Sequence, residues 1–296
     1  MGKELFTVAR IFGAYYELYS SKWKYQRATL KGKLRLGDTK ERHPLAVGDY
    51  VHALPIDNGS AWIVQERLDR KNFLIRKSVD GDGHVLASNL DQVAILISLR
   101  DPETKTGFVD RVLATVFQAK IEPLLVFTKK DLVADSDWKE KVRIYLELGY
   151  RTLAVSLQDP KSIEEFQKLI QGKVTFFAGN SGVGKSSLLN SISAQSMQKV
   201  TEVSSTTKKG KHTTTNSFAL ILSENTTAID SPGVKEWGIL HLNPQEIQDS
   251  FPEFQKGLEL SNSRKKSFEA MLESLQNPRR TTRRDHWKDA GVIRKK

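Results

Sequence analysis

Cysteine is absent from all 296 residues, which excludes disulfides and thiolate-ligated metal sites at the outset. Long apolar runs are missing too, and none approaches the ~18 residues a membrane-crossing helix needs. The opening Met1-Gly2-Lys3-Glu4-Leu5-Phe6 lacks the apolar core of a secretory signal. Phe6 also stands where a myristoylation pattern needs Ser or Thr. These absences lead to the expectation of a cytoplasmic protein. Negative charge is in the minority: 35 Asp and Glu face 46 Lys and Arg, a net +11. That excess favours a polyanionic partner, either nucleic acid or an acidic surface. With 39% apolar residues the chain can bury real cores, and its length suits two domains better than one.

The first ~80 residues carry short aromatic and β-branched stretches at 6–11, 15–19, 25–30, 50–54 and 62–65, separated by turn signals such as Asp57-Asn58-Gly59. Five such strands predict a small closed barrel of OB type, for which an SH3-like barrel reads almost the same. Asp80-Gly81-Asp82-Gly83 is a plausible hinge. Beyond it, strands at 93–99, 124–128, 152–156 and 174–178 alternate with amphipathic stretches at 109–119, 138–148, 163–170 and 185–193. That alternation predicts an α/β domain, a mostly parallel sheet with helices on both faces. A hairpin is expected from 218–222 and 227–229. The spacing then predicts a helix over 263–276, ended by Asn277-Pro278. Residues 264–296 hold 11 Lys or Arg and 4 Asp or Glu, so the chain's excess charge concentrates there. The expected organisation is an OB-type domain over 1–82, an α/β domain over 83–250 and a basic, helical C-terminal region over 251–296.

Three motifs carry chemistry. Gly179-Asn180-Ser181-Gly182-Val183-Gly184-Lys185-Ser186-Ser187 follows an apolar strand and opens a helix. That is the context in which backbone N–H groups and the helix dipole face phosphates. Lys185 is expected to neutralise the β- and γ-phosphates and the Ser186 hydroxyl to ligate Mg²⁺. Asp230-Ser231-Pro232-Gly233 ends another strand, 44 residues after Ser186. Asp230 is placed to hold Mg²⁺ through water, and the Gly233 N–H to reach the γ-phosphate. Thr128-Lys129-Lys130-Asp131 ends a third strand. Its Asp carboxylate suits the N1–H and 2-amino donors of guanine, which adenine does not present, while a Lys stem covers the ring. Alone, the tetrapeptide could be a capped helix start. Ser156 and Leu157 end the next strand and could offer a backbone N–H to guanine O6. GTP or GDP with Mg²⁺ is the expected ligand set, and Thr128 in place of the commoner Asn leaves fewer hydrogen bonds to tie this loop to the phosphate loop, so somewhat looser binding is expected.

The motif order is informative. The base-reading element precedes the phosphate loop and the Asp230 motif comes last, so the P-loop GTPase sheet must be circularly permuted.

That order, the phosphate loop continued by Leu188-Leu189-Asn190, the stretch Gly210-Lys211-His212-Thr213-Thr214-Thr215, and Asp230-Ser231-Pro232-Gly233-Val234-Lys235-Glu236 together resemble the ribosome small subunit-dependent GTPase A (RsgA) family. Asn89-Leu90-Asp91-Gln92-Val93 and Phe108-Val109-Asp110-Arg111 resemble its entry into the GTPase domain. The likeness runs from about residue 5 to Phe254. It implies a cytoplasmic GTP hydrolase, with an N-terminal OB domain, that acts late in 30S subunit maturation and is stimulated by the subunit. It further implies a 16S rRNA contact, no membrane and a monomer. Thr214 becomes the switch threonine on Mg²⁺ and γ-phosphate, with Thr213 its rival. Val234 occupies the position of a water-orienting Gln, so His212 becomes the candidate to orient water, alongside Thr214 and Lys185 as catalytic residues.

The departure is at the C-terminus. The family's zinc domain uses three Cys and one His, so no zinc site is expected here. The tail with Arg279, Arg280, Arg283, Arg284, Arg294, Lys295 and Lys296 is expected to contact RNA phosphates instead. Lys22, Trp23, Lys24, Tyr25, Arg27, Lys31, Lys33 and Arg35 suggest an RNA face on the barrel, although Trp23 and Tyr25 could equally be core. A competing reading is a nucleotide-gated RNA-binding protein with vestigial hydrolysis.

Overall fold

A computed structural model describes residues 2–13, 15–31, 44–56, 59–77, 83–199, 217–230 and 237–277. Alternating apolar residues build the N-terminal barrel from β1 (Glu4–Phe12), β2 (Tyr15–Ser20), β3 (Lys24–Leu30), β4 (Tyr50–Ile56) and β5 (Ala61–Arg67). Side chains of period two, such as Tyr16 and Leu18, Val51 and Ala53, Trp62 and Val64, point inward and are buried. The strand order is β1-β2-β3-β5-β4, and β4 returns to pair with β1, which closes the barrel. Phe6 packs edge-on to Trp62 with ring centroids 4.7 Å apart, and Trp23 reaches the same Trp62 at 5.2 Å. Trp23 therefore belongs to the barrel core, whereas Tyr25 is exposed beside Tyr19.

A short hairpin missed by the sequence reading follows: β6 (Phe73–Lys77) pairs with β7 (Gly83–Ser88) across the expected hinge, Lys77 opposite Gly83. It is joined to the barrel by a buried network in which Arg70 donates to both Asp49 oxygens (2.7 and 2.9 Å) and Ser88 Oγ donates to Asp49 Oδ1 (2.6 Å).

The α/β unit contains β8 (Gln92–Ser98), β9 (Glu122–Thr128), β10 (Arg151–Val155), β11 (Val174–Ala178), β12 (Phe218–Ser223) and β13 (Thr226–Asp230). Their order is β10-β9-β8-β11-β13-β12, parallel except for β12. All seven residues of β8 are buried, as a central strand covered on both faces requires. Helices α1 (Thr106–Gln118), α2 (Asp135–Glu147), α3 (Pro160–Ile170) and α4 (Lys185–Lys199) fill the connections. Barrel and α/β sheet are continuous, because Arg10 of β1 pairs with Phe218 of β12 just beyond a register shift in β1.

Three helices follow: α5 (Pro244–Asp249), α6 (Pro252–Lys256) and α7 (Asn262–Gln276). The last matches the helix expected over 263–276. The sequence reading missed α5, although Asn243-Pro244-Gln245-Glu246 carries its signal: a reciprocal capping box with Pro at the first helical turn. Helix α7 is held to α1 by a buried triad. Arg264 donates to Asp110 Oδ1 at 2.5 Å and to both carboxylate oxygens of Glu253, with Phe251 stacked under the guanidinium at 4.5 Å. Burial pushes the Asp110 carboxyl up to about 6, with Arg264 partly offsetting it.

Candidate nucleotide site

The chain runs outward from β8 to β9 and β10, then crosses back to β11 on the other side of β8. Strand order therefore reverses between β8 and β11, and ligands of open α/β sheets sit in the crevice at the carboxyl ends beside such a reversal. The three motifs all emerge at this edge: Thr128 ends β9, Ala178 ends β11 and Asp230 ends β13.

The phosphate loop is shaped by close approach. A Cβ on Gly179 would lie 2.8 Å from Val183 Cγ1 and 3.2 Å from Leu96 Cβ, so only glycine fits there. Gly184 has φ +93°, a conformation that favours glycine. The loop delivers Lys185 into a buried position at the start of α4, while Ser181, Gly182, Ser186 and Ser187 are exposed. Lys185 Nζ lies 2.5 Å from Asp230 Oδ1. Burial raises the Asp230 carboxyl above its ordinary range, and Lys185 partly offsets this. Asn180 Oδ1 is buried without a hydrogen-bond partner among the described residues.

The loop after β9, expected to read the base, is fastened to the phosphate loop. Thr128 Oγ1 donates to the Val183 carbonyl at 2.7 Å. Lys129, in the left-handed region with φ 62°, donates through Nζ to the Gly182 carbonyl at 2.8 Å and to the Asp101 carbonyl. The threonine ties this loop to the phosphate loop through its single hydroxyl. Lys130, Asp131 and Leu132 form a 3₁₀ turn from which Asp131 is exposed. Arg100 braces the turn by donating to the Leu132 carbonyl at 3.2 Å.

The third loop closes on itself. Ser156 is buried, its N–H bonded to Ser162 Oγ at 3.1 Å and its Oγ accepting from Gln158 N at 3.0 Å, while Leu157 is exposed at the tip. Thr128, Lys129, Lys130, Asp131, Ser156 and the residues from Gly179 to Ser187 thus gather at one edge with Asp230. His212, Thr213, Thr214, Gly233 and Val234 lie outside the described residues, as does the basic tail. The sequence reading missed Asp159, which pairs with Lys130, and Asp101 with Arg100. Asp159-Pro160 does carry a helix-start signal, whereas a carbonyl recruited from Asp101 leaves no mark in the sequence. Among the described residues no group of three or more His, Cys, Asp or Glu could hold a metal, and no helix is long and apolar enough to cross a membrane.

Known proteins are similar to this chain in sequence and fold. The RsgA GTPase family model matches residues 67–240. The small ribosomal subunit biogenesis GTPase RsgA of Flavobacterium johnsoniae is 36% identical over 258 residues, covering 84% of this chain and 79% of that protein. That of Flavobacterium psychrophilum is 39% identical over 252 residues, covering 82% and 77%. Among solved structures, YjeQ from Thermotoga maritima superposes with a TM-score of 0.71 at 25% identity, covering 93% of this chain and 99% of that one. YloQ, described as a circularly permuted GTPase, gives 0.66 at 22% identity over 94% and 96%, which speaks to the fold alone. The two Flavobacterium relatives are GTPases by name, so vestigial hydrolysis is not favoured. The family model matches more than half of the chain and the RsgA relatives exceed 30% identity over most of it, so this chain belongs to the RsgA GTPase family.

Proposed function

We propose that this GTPase acts in the maturation of the small ribosomal subunit, and that the 30S particle stimulates its hydrolysis of GTP. The observation that carries the nucleotide half is the pair of bonds from Thr128 and Lys129 to the carbonyls of Val183 and Gly182. They make one site of the loop that grips phosphate and the loop that reads the base. The subunit half rests on the relatives, which are named for small ribosomal subunit biogenesis.

Mg²⁺ fits the residues present. Ser186 and Asp230 offer hard oxygen donors, which suit this ion together with water and phosphate. The largely buried Asp230 carboxylate already faces a cation, the Lys185 ammonium. Ser186 and Thr214 would bind the ion directly and Asp230 through water, and the ion would neutralise charge on the β- and γ-oxygens. Lys185 holds the same phosphates, and His212 orients the attacking water. The barrel face with Lys22, Lys24 and Arg27, and the tail beyond Gln276, supply cations for 16S rRNA phosphates. The protein works as a cytoplasmic monomer.

Single-turnover GTP hydrolysis with and without purified 30S particles, with 50S particles as the control, tests this reading. Stimulation by 30S alone is expected, and His212→Ala should lower the stimulated rate. Equal rates in all three conditions would reject the subunit assignment, and an intact stimulated rate in His212→Ala would remove His212 from its role.

A further inference from the structure

Two adjacent lysines of the base-reading loop point to different neighbours. Lys129 is tied to the phosphate loop through Gly182. Lys130 donates instead to Asp159 Oδ2 at 2.7 Å, with its ammonium 5.9 Å from the Trp138 ring. Asp159 is the N-cap residue of α3 and closes the loop that begins at Ser156, its own N–H bonded to the Ser156 carbonyl at 3.1 Å. Among the described residues, the other side-chain hydrogen bonds of the 156–159 loop run inward, between Ser156, Gln158, Asp159 and Ser162. The Lys130–Asp159 pair is therefore the side-chain link from this loop to the one carrying Asp131. It is half-buried, and Lys130 is the chief cause that holds the Asp159 carboxyl below its ordinary range.

We propose that the Lys130–Asp159 ion pair is a strut that sets the spacing of the two loops flanking the base, and so acts as a positioning pair for purine discrimination. The inference rests on the reading of Asp131 as the guanine-contacting carboxylate. Guanine offers N1–H and the 2-amino group on one edge and O6 beside them. Binding both requires Asp131 and the Leu157 backbone N–H at one fixed separation, since the N–H groups of Ser156, Gln158 and Asp159 are bonded within their own loop. Adenine, with an amine at position 6 and no N1–H, gains little from that separation. Loss of the strut costs guanine more than adenine, which distinguishes positioning from a general role in folding.

The test is the ratio of GDP to ADP affinity in the full-length protein, measured by titration calorimetry for Lys130→Met, Asp159→Asn and the double variant. Each single variant should weaken GDP binding about 5–20-fold, in line with the loss of one charge-assisted hydrogen bond, while ADP binding changes less than about 2-fold. The double variant should be no worse than either single, because one interaction is removed in all three. Lys130→Arg, which keeps the charge, should restore most of the discrimination. Equal losses for GDP and ADP, an unchanged ratio, or additive effects in the double variant would overturn the strut. Asp131→Ala separates the two ideas. If it lowers the ratio while the strut variants do not, only the strut falls; if it leaves the ratio intact, the base-reading assignment falls and the strut with it.

Discussion

Thr128 Oγ1 donates a 2.7 Å hydrogen bond to the Val183 carbonyl, linking residues 55 positions apart in the chain. The bond runs from the end of β9 to the loop after β11, which are not neighbouring strands, and it is buried. It fixes where the turn carrying Asp131 sits relative to Lys185. Thr128→Val keeps the shape and removes the donor, leaving the Val183 carbonyl without this partner. Losing one such bond costs about 1 kcal/mol, so GDP affinity should fall roughly 5-fold with the fold intact. Fluorescence titration with a labelled GDP checks this, and wild-type affinity in the variant would show that the bond is incidental.

The Arg264 triad predicts a stability effect without a binding effect. Asp110 and Glu253 are fully buried beside one guanidinium. Arg264→Met leaves two uncompensated carboxylates, and breaking a buried pair in this way costs about 3–5 kcal/mol. Urea denaturation should show a loss of that order, while GDP affinity of the remaining folded protein stays at the wild-type value. A variant as stable as the wild type would mean that α7 is not held by this cluster.

Asp110 also sets the sign of a pH effect. Its carboxyl is pushed up to about 6 in the folded protein, against about 3.9 in an unfolded chain. Between those values the folded state binds the extra proton, so this group makes stability rise as pH falls from about 6 towards 4. Asp110→Asn deletes that contribution. The difference between wild type and variant should therefore change across this interval by an amount on the order of 2 kcal/mol, read from denaturation curves at pH 4, 5, 6 and 7. A constant difference would place the Asp110 titration elsewhere.

Much of this architecture was legible in the residues, for identifiable reasons. The barrel strands and the β8–β11 sheet follow from apolar patterns of period two or continuous burial. The phosphate loop follows from its glycines, one of which no other side chain can replace without meeting Val183 and Leu96. The β6–β7 hairpin was not seen because Asp80-Gly81-Asp82-Gly83 reads equally as a linker. What stayed hidden was pairwise and long-range. A tie from Thr128 to the phosphate loop is expected, but nothing in Thr128-Lys129-Lys130-Asp131 names the Val183 and Gly182 carbonyls as the acceptors or Lys129 as a second donor, since a carbonyl is offered by every residue. Asp159 reads as a helix cap, and only the fold brings Lys130 against it. Arg264 and Asp110 are 154 positions apart, and no local pattern marks them as partners.

Substitution at Asp131 probes the guanine assignment most directly. The Asp131 carboxylate can accept from both N1–H and the 2-amino group of guanine. Xanthine carries an oxygen where guanine has that amine, which an Asn amide can match with one acceptor and one donor. A site built on buried or oriented hydrogen bonds rejects the mismatched ligand by a large factor, about 10⁴ or more at the upper end. The decisive measurement is the dissociation constant for GDP and for xanthosine diphosphate in wild type and Asp131→Asn. The account predicts that the wild type prefers GDP and that the variant exchanges this preference for xanthosine diphosphate. An Asp131→Asn protein that still binds GDP at wild-type strength and rejects xanthosine diphosphate would contradict it.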